Sequence, residues 1–191
     1  MSVAPNRGAD NRRAGRGTDN QRAGWGGHAH RALHAAGVRQ IAYVPDAGLS
    51  ALLALCEADE TMRTVLLAHE QEGPALVAGA WLGGERAALL MQSSGAGNCV
   101  AALSLIRTCR FPFLSIVTMR GEWGEANPWQ LPMGQGTAAH LEQCGVIVYR
   151  VDDPDDAFET IEAAAALTFE SGAATAVLIG QRVIGAKSFD G

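Results

Sequence analysis

The chain has 191 residues, 48% of them hydrophobic, and a formal net charge of −5. This length and composition are typical of one globular domain with a tail and exclude a wholly disordered chain. The acidic balance argues against a general nucleic-acid-binding protein, which would present a basic face. Polar residues interrupt every apolar run before it reaches the length of a membrane span.

Residues 1–27 differ in composition from the rest of the chain. They are rich in glycine, asparagine and arginine and hold almost no large apolar residue, so we expect a tail that is disordered or becomes ordered against a partner chain. The tail lacks the apolar region of a secretory signal, and its two aspartates and many glycines make an organelle transit peptide the weaker alternative. The folded domain is predicted over residues 28–183, with a short C-terminal tail over 184–191.

The four cysteines show no CxxC spacing and lie in apolar settings: Cys56, Cys99, Cys109 and Cys144. This is typical of small buried hydrophobic residues rather than of disulfides or a metal site. We therefore expect a reducing, cytoplasmic compartment.

After the tail, short apolar strands alternate with helices. The predicted helices cover residues 29–36, 49–56, 73–82, 98–109, 137–144 and 155–169. The predicted strands cover residues 40–44, 64–68, 87–91, 113–118, 146–151 and 175–179. Strands separated by helices, some of them continuously apolar, predict an α/β fold: a doubly wound, mainly parallel six-stranded sheet with helices on both faces.

In such sheets, ligands bind at the carboxyl ends of the strands. Three loops meet that rule, namely the loop after residue 44, the loop that contains Glu70 and the loop after residue 91. We expect these loops to converge on one edge of the sheet.

Glu70 follows a short apolar strand and precedes a helix with Pro74 in its first turn, where a missing N–H costs nothing. The helix contains small residues up to Gly79, which indicates that another element packs closely against its backbone. A buried glutamate at such a junction is costly without a partner or a chemical role. The alternative is a surface carboxylate that caps the helix.

The loop at residues 92–97 contains two glycines before a helix, as a dinucleotide-binding loop does. The third glycine of that fingerprint is absent, because Cys99 and Val100 follow Asn98, and no acidic residue ends the next strand. The nucleotide-binding hypothesis is therefore the weaker one, and a simple tight turn is a further alternative.

A long loop is predicted over residues 119–136. Loops of this length are usually functional or disordered, and two tryptophans and a methionine make this one too apolar for a solvated linker. Arg120, at its start, is a fork-shaped donor for an anionic substrate. Its alternative role is a salt bridge at the surface.

Together these segments resemble a family of enzymes that use thiamine diphosphate, the sulfopyruvate and phosphonopyruvate decarboxylases. The resemblance lies in five segments in order: Val44-Pro45-Asp46, His69-Glu70, Met91 to Asn98, Arg120-Gly121 and Pro132-Met133-Gly134. The spacing of nine residues between Glu70 and Gly79 is similar to that of the pyrimidine-binding domain in this family. Ala47 and Ser93 stand where more polar residues are expected, which leaves the preferred substrate open.

The resemblance implies a role for each candidate residue. Glu70 is the catalytic residue, whose carboxyl group binds the ring nitrogen of the cofactor's aminopyrimidine and makes that ring basic enough to remove the proton from C2 of the thiazolium. The implied cofactor-binding residues are Glu70, Pro45, Gly95 and Asn98. The implied substrate-binding residues are Asp46, Gln92, Ser93, Ser94 and Arg120.

The family also implies a second chain. In this family, the diphosphate group of the cofactor and its Mg²⁺ are held by another domain with a Gly-Asp-Gly motif. This sequence lacks that motif. We therefore expect a hetero-oligomer with a beta-type subunit that binds the diphosphate and Mg²⁺. The expected reaction is decarboxylation of a 2-oxo acid with a second acidic group; the alternatives are a carboligase subunit similar to acetolactate synthase and a non-catalytic regulatory module.

Overall fold

Six parallel strands form one sheet in the order β2-β1-β3-β4-β6-β5 in the computed structural model, which describes residues 24–185. The strands are β1 (Val38–Tyr43), β2 (Arg63–Leu66), β3 (Arg86–Gln92), β4 (Phe113–Thr118), β5 (Ile147–Val151) and β6 (Ala174–Ile179). Helices cover both faces of the sheet, so the predicted fold class is confirmed.

Eight helices are described between residues 24 and 185: α1 (Trp25–Ala35), α2 (Ser50–Ala58), α3 (Gly73–Leu82), α4 (Ser93–Cys99), α5 (Ser104–Cys109), α6 (Leu131–Gln143), α7 (Ala157–Ser171) and α8 (Gln181–Ile184). Single 3₁₀ turns lie at Ala47–Leu49, Glu70–Glu72, Pro128–Gln130 and Pro154–Asp156. Within this described range, no helix combines the length and the apolar character that crossing a bilayer requires.

The sheet separates two hydrophobic cores. Because side chains alternate along a strand, Ile41 packs with α1, α2 and α7 while its neighbour Ala42 packs with α3 to α6. Leu90 and Leu89 on the central strand β3 divide in the same way. All four are fully buried, which accounts for the continuous apolar runs of the central strands.

Helix α1 begins at Trp25, earlier than the predicted start at residue 29. Trp25 is only 7% exposed and belongs to the core. Gly26 lies against α2, where a Cβ atom would come within 3.0 Å of the backbone nitrogen of Leu52. Gly26, which its composition had assigned to the predicted tail, therefore allows α1 and α2 to pack closely. The predicted tail up to residue 23 lies outside the described residues.

The prediction of a loop over 92–97 followed by one helix over 98–109 was wrong, because the structure has two shorter helices in this segment. Helix α4 already begins at Ser93, where the side chain of Gln92 accepts a hydrogen bond from the N–H of Ser94 at 3.3 Å and caps the helix. A second helix, α5, covers the rest of the segment. Gly95 and Gly97 lie inside α4. A neighbouring side chain approaches each of them closely, which explains why these two helix positions are glycine.

The predicted loop over 119–136 is shorter in the structure, since α6 begins at Leu131 rather than at residue 137. Pro132 lies in the first turn of α6, where proline is favoured. Gly134 packs against the backbone of Arg120, which leaves no room for a side chain. Helix α8, just after β6, was not predicted.

The turns that lead into β3 and β6 lie at the amino ends of the strands. Gly84 and Gly172 adopt left-handed conformations there, with φ of +81° and +70°. A Cβ atom at either position would meet no atom of the described residues within 4 Å. Backbone conformation, and not packing, therefore favours glycine at these two turns.

Candidate active site

The crevice at the carboxyl ends of β1 and β3 is the candidate site. The chain passes from β1 outwards to β2, and then returns to β3 on the other side of β1. The loops after β1 and β3 therefore diverge and leave a crevice between them, where ligands of doubly wound sheets bind. The structure brings the three predicted loops together at this edge.

Asp46 lies in the loop after β1, at this edge of the sheet. Its carboxylate accepts hydrogen bonds from the N–H of Gly48 at 2.8 Å and from the side chains of Gln92 and Thr118 at 3.3 Å each. The three donors come from the loop after β1 and from the ends of β3 and β4. Pro45, just before Asp46, is exposed. Thr118 is fully buried and was not predicted, although its place at the end of β4 could have indicated it.

Glu70 begins the 3₁₀ turn that leads into α3, and its side chain meets α4. Oε2 of Glu70 accepts a hydrogen bond from Nδ2 of Asn98 at 3.0 Å. A Cβ atom on Gly95 would lie 2.5 Å from Cγ and 2.6 Å from Oε1 of Glu70. The bare backbone of Gly95 therefore provides the space that the carboxyl group occupies. The structure thus joins three of the predicted cofactor-binding residues.

Ser93 and Ser94 begin α4 and differ in their surroundings. Ser93 is fully buried, and its hydroxyl accepts a hydrogen bond from the N–H of Arg120 at 3.1 Å. The hydroxyl of Ser94 is buried and has no hydrogen-bond partner among residues 24–185. A buried hydroxyl without a partner is costly, so Ser94 is the serine of this pair that fits a bound polar group.

The side chain of Arg120 is engaged within its own loop. It is 4% exposed, and its Nε and Nη2 donate to the two carboxylate oxygens of Glu125 at 3.0 and 3.2 Å. Burial alone would raise the pKa of Glu125, but hydrogen bonds from Arg120, from the N–H groups of Asn127 and Gly121 and from Gln181 lower that pKa to about 2. The sequence offered no short motif that could have indicated this pair.

Two further observations concern the chemistry of the site. Between residues 24 and 185, no group of three or more His, Cys, Asp or Glu side chains is arranged to hold a metal ion. Burial, followed by the charge of Glu70, raises the pKa of the Cys99 thiol to about 12. Cys99 is therefore an inert core residue and not a nucleophile.

The comparisons with known proteins agree with this geometry. The family of thiamine pyrophosphate enzymes, represented by their N-terminal TPP-binding domain, matches residues 27–144, more than half of the chain. The chain belongs to this family of thiamine pyrophosphate enzymes. Thiamine pyrophosphate is the same compound as thiamine diphosphate. Glu70, Asn98 and Gly95 all lie inside the matched region.

Relatives within the thiamine pyrophosphate enzymes confirm the predicted resemblance. The alpha subunit of sulfopyruvate decarboxylase from Methanococcus maripaludis is 34% identical over 151 residues, which are 78% of this chain and 90% of that subunit. The alpha subunit from Methanocaldococcus jannaschii is also 34% identical, over 150 residues. Phosphonopyruvate decarboxylase from Streptomyces viridochromogenes is 35% identical over 134 residues, 69% of this chain but 34% of the longer enzyme.

A solved structure supports the fold. The 2-oxoglutarate:ferredoxin oxidoreductase from Magnetococcus marinus superposes with a TM-score of 0.66 at 17% sequence identity. The match covers 84% of this chain and 29% of that chain. At this identity the likeness concerns the fold of the domain alone.

Proposed function

We propose that this chain is the alpha-type subunit of a thiamine diphosphate-dependent decarboxylase, and that its substrate is sulfopyruvate or phosphonopyruvate. The observation that carries the proposal is the Glu70 carboxyl group, which Asn98 holds through one oxygen against the bare backbone of Gly95. The named relatives that cover most of the chain support the substrate class.

The residues present fit the aminopyrimidine end of the cofactor. Asn98 holds Oε2 of Glu70, so Oε1 is the oxygen available to a ring nitrogen. The buried hydroxyl of Ser94, which has no hydrogen-bond partner in the part of the chain that the structure describes, is a second polar group suited to a ligand. When bound, thiamine diphosphate supplies a carbanion at C2 that makes loss of CO₂ from a 2-oxo acid possible. Glu70 exchanges a proton with the aminopyrimidine and so favours its basic form.

Asp46 and Gln92 form the facing wall of the crevice and are the proposed substrate-binding pair. Gln92 donates to Oδ1 of Asp46 through Nε2 and accepts from the N–H of Ser94 through Oε1. The two side chains are thus fixed relative to each other and to the start of α4. Pro45 shapes the same wall.

The exposed side of α3 supports a partner chain. Gly79 lies inside this helix, where glycine costs about 1 kcal/mol relative to alanine, yet a Cβ atom there would meet nothing within 4 Å among residues 24–185. Leu82 at the end of α3 is 87% exposed, and Leu66 at the end of β2 is 63% exposed. An exposed apolar surface along the helix that follows Glu70 fits a second subunit that covers it. We propose that this beta-type subunit binds the diphosphate and Mg²⁺.

The partner is tested with the isolated chain and with variants of α3. Calorimetric titration of the isolated chain with thiamine diphosphate and Mg²⁺ should show little heat, and micromolar binding would contradict a shared site. Gly79→Leu should weaken assembly with the beta-type chain at least tenfold. Ala166→Leu, an exposed alanine on the opposite face, is the matched control and should assemble normally.

The activity is tested in the assembled complex with sulfopyruvate, phosphonopyruvate and pyruvate. Glu70→Gln should lower turnover by orders of magnitude and slow hydrogen–deuterium exchange at C2 of the bound cofactor, because an amide cannot supply the exchangeable proton. Glu72→Gln changes an exposed carboxylate two positions away and should retain activity. Two-carbon ligation products from pyruvate, without aldehyde release, would favour a carboligase instead.

The complex is further proposed to work in the cytoplasm. All four cysteines are free thiols, and Cys56 and Cys99 are buried. Free thiols are typical of proteins in a reducing compartment.

A further inference from the structure

The side chain of Gln181 is buried just beyond the end of β6, and both its oxygen and its nitrogen make hydrogen bonds. It is 1% exposed. Its Oε1 accepts hydrogen bonds from the N–H groups of Glu122 and Trp123 at 2.8 and 2.9 Å, and its Nε2 donates to Glu125 at 3.0 Å. Its own backbone N–H donates to Glu122 at 3.2 Å. A buried amide with this set of partners fixes the loop that supplies them.

Glu125 is the second fixed point of the same loop. Its side chain is 2% exposed and accepts five hydrogen bonds, at distances from 3.0 to 3.2 Å. Two come from Arg120, one from Gln181, and two from the backbone N–H groups of Gly121 and Asn127. Residues 120–127 are therefore held to the end of β6 through one carboxylate and one amide.

The other side of this loop supports the candidate active site. The backbone N–H of Arg120 donates to the hydroxyl of Ser93, the first residue of α4. Helix α4 places Gly95 and Asn98 against Glu70. A continuous set of hydrogen bonds and packing contacts therefore leads from Gln181 to the carboxyl group of Glu70.

We propose that Gln181 is a positioning residue for the proposed reaction: it fixes the 120–127 loop, and through Arg120 and Ser93 it fixes the placement of α4 beside Glu70. Its catalytic part rests on the proposed function. Gln181 lies outside the family match at residues 27–144. Its side chain is hydrogen-bonded to Glu122, Trp123 and Glu125, none of which is a candidate cofactor- or substrate-binding residue. The segment after β6, which begins α8, thus supports the candidate active site.

The first experiment uses the full chain without cofactor. Gln181→Met keeps the length of the side chain and removes its hydrogen bonds, so backbone amide exchange in residues 93–99 should become at least tenfold faster. Gln143→Met makes the same change at an exposed glutamine on α6 and should leave this exchange unchanged. Faster exchange confined to residues 120–127, with residues 93–99 as in the wild type, would overturn the proposal. If Gln181→Met does not fold, Glu125→Gln takes its place in both experiments.

The second experiment uses the complex with the beta-type chain. Gln181→Met should lower kcat at least tenfold, with a smaller change in KM, whereas equal kcat values would overturn the proposal.

In Gln181→Glu, the introduced carboxyl group faces Glu122 and Glu125 from the loop, Arg120 beside them and Arg150, which pairs with Glu122. When protonated, it can donate to Glu125 as the amide does. The activity of Gln181→Glu relative to the wild type should therefore rise from pH 8 to pH 6. Parallel pH profiles of the variant and the wild type would contradict the proposal.

The two experiments separate this inference from the proposed function. If the wild-type complex decarboxylates none of the three 2-oxo acids, the proposed function fails. Amide exchange in residues 93–99 then still decides whether Gln181 positions α4.

Discussion

The carboxyl group of Glu70 occupies the space that a side chain on Gly95 would fill, with Cγ of Glu70 only 2.5 Å from the position of a Cβ atom on Gly95. The glycine in α4 and the glutamate before α3 are therefore matched in shape across the site. A glycine inside a helix lowers stability relative to alanine. At position 95, the close approach of Glu70 explains its presence.

Gly95→Ala should lower activity of the assembled complex at least tenfold while the fold is retained. The three atoms nearest to the new methyl group belong to the flexible side chain of Glu70, so we expect the carboxyl group to move and the backbone to stay in place. Turnover and C2 proton exchange of the bound cofactor measure the effect. Gly79→Ala, where a methyl group meets no atom of the described residues within 4 Å, serves as the control in the isolated chain, and its thermal stability should rise. Normal C2 exchange in Gly95→Ala would show that the position of Glu70 is not critical.

Arg120→Lys should destabilise the chain and reduce activity on all substrates by the same factor. Lysine lacks the planar fork that reaches both oxygens of Glu125, and loss of such a charge-assisted contact costs about 1.5–3 kcal/mol. Urea unfolding and kinetics with sulfopyruvate, phosphonopyruvate and pyruvate measure the two effects. Arg107→Lys, an exposed arginine on α5, is the control. A loss confined to the two substrates with a second anion would instead show that Arg120 leaves Glu125 and binds the substrate.

Glu125 should make the stability of the chain depend on acid pH. Its pKa is lowered to about 2 in the folded chain, below the unfolded value of about 4.3. The stabilisation is therefore fully present above about pH 4.3, and is lost as the pH falls towards about 2. Urea unfolding of the wild type and of Glu125→Gln should show a difference that is largest near neutral pH and becomes smaller below pH 4. A difference independent of pH would contradict the assignment.

Arg110→Gly should stabilise the chain by about 0.5–1 kcal/mol. Arg110 ends α5 in a left-handed conformation with φ of 54° and ψ of 50°. That conformation costs an L-residue roughly 1–2 kcal/mol, and the greater freedom of glycine in the unfolded chain offsets part of the gain. A gain of this size raises the melting temperature by about 1–4 °C. Arg110→Ala keeps the strain and should show no such gain.

The sequence was sufficient to predict the sheet, because each strand is a short apolar run between helices. The prediction for β4 has the observed bounds, Phe113–Thr118, and so does α3, Gly73–Leu82. The predicted convergence of three loops also followed from one rule, since parallel strands end at the same edge. Local patterns were enough wherever burial alone decides the structure.

The starts of α1, α4 and α6 were missed for a shared physical reason. Each contains glycines that local pattern assigns to loops or tails, while the structure uses them for close contacts with distant residues. Gly26 approaches α2, Gly95 accommodates Glu70 and Gly134 packs on the backbone of Arg120. The partners lie far away in the sequence, so no local window contains the signal. The pairing of Arg120 with Glu125 was missed because burial of the Glu125 carboxylate is favourable only when five hydrogen-bond donors surround it. Some of these donors lie far away in the sequence.

The left-handed turns at Gly84 and Gly172 give the molecule an edge at which new sequence can be added. They lie at the amino ends of β3 and β6, about 20 Å from the loops at the other ends of those strands. Both glycines are exposed and meet no neighbouring side chain. A peptide tag or a single labelling cysteine inserted beside Gly84 would therefore attach the chain to a sensor surface with Asp46 and Glu70 facing the solution. Immobilised in this orientation, the chain would expose its reactive edge to any protein or small molecule passed over it.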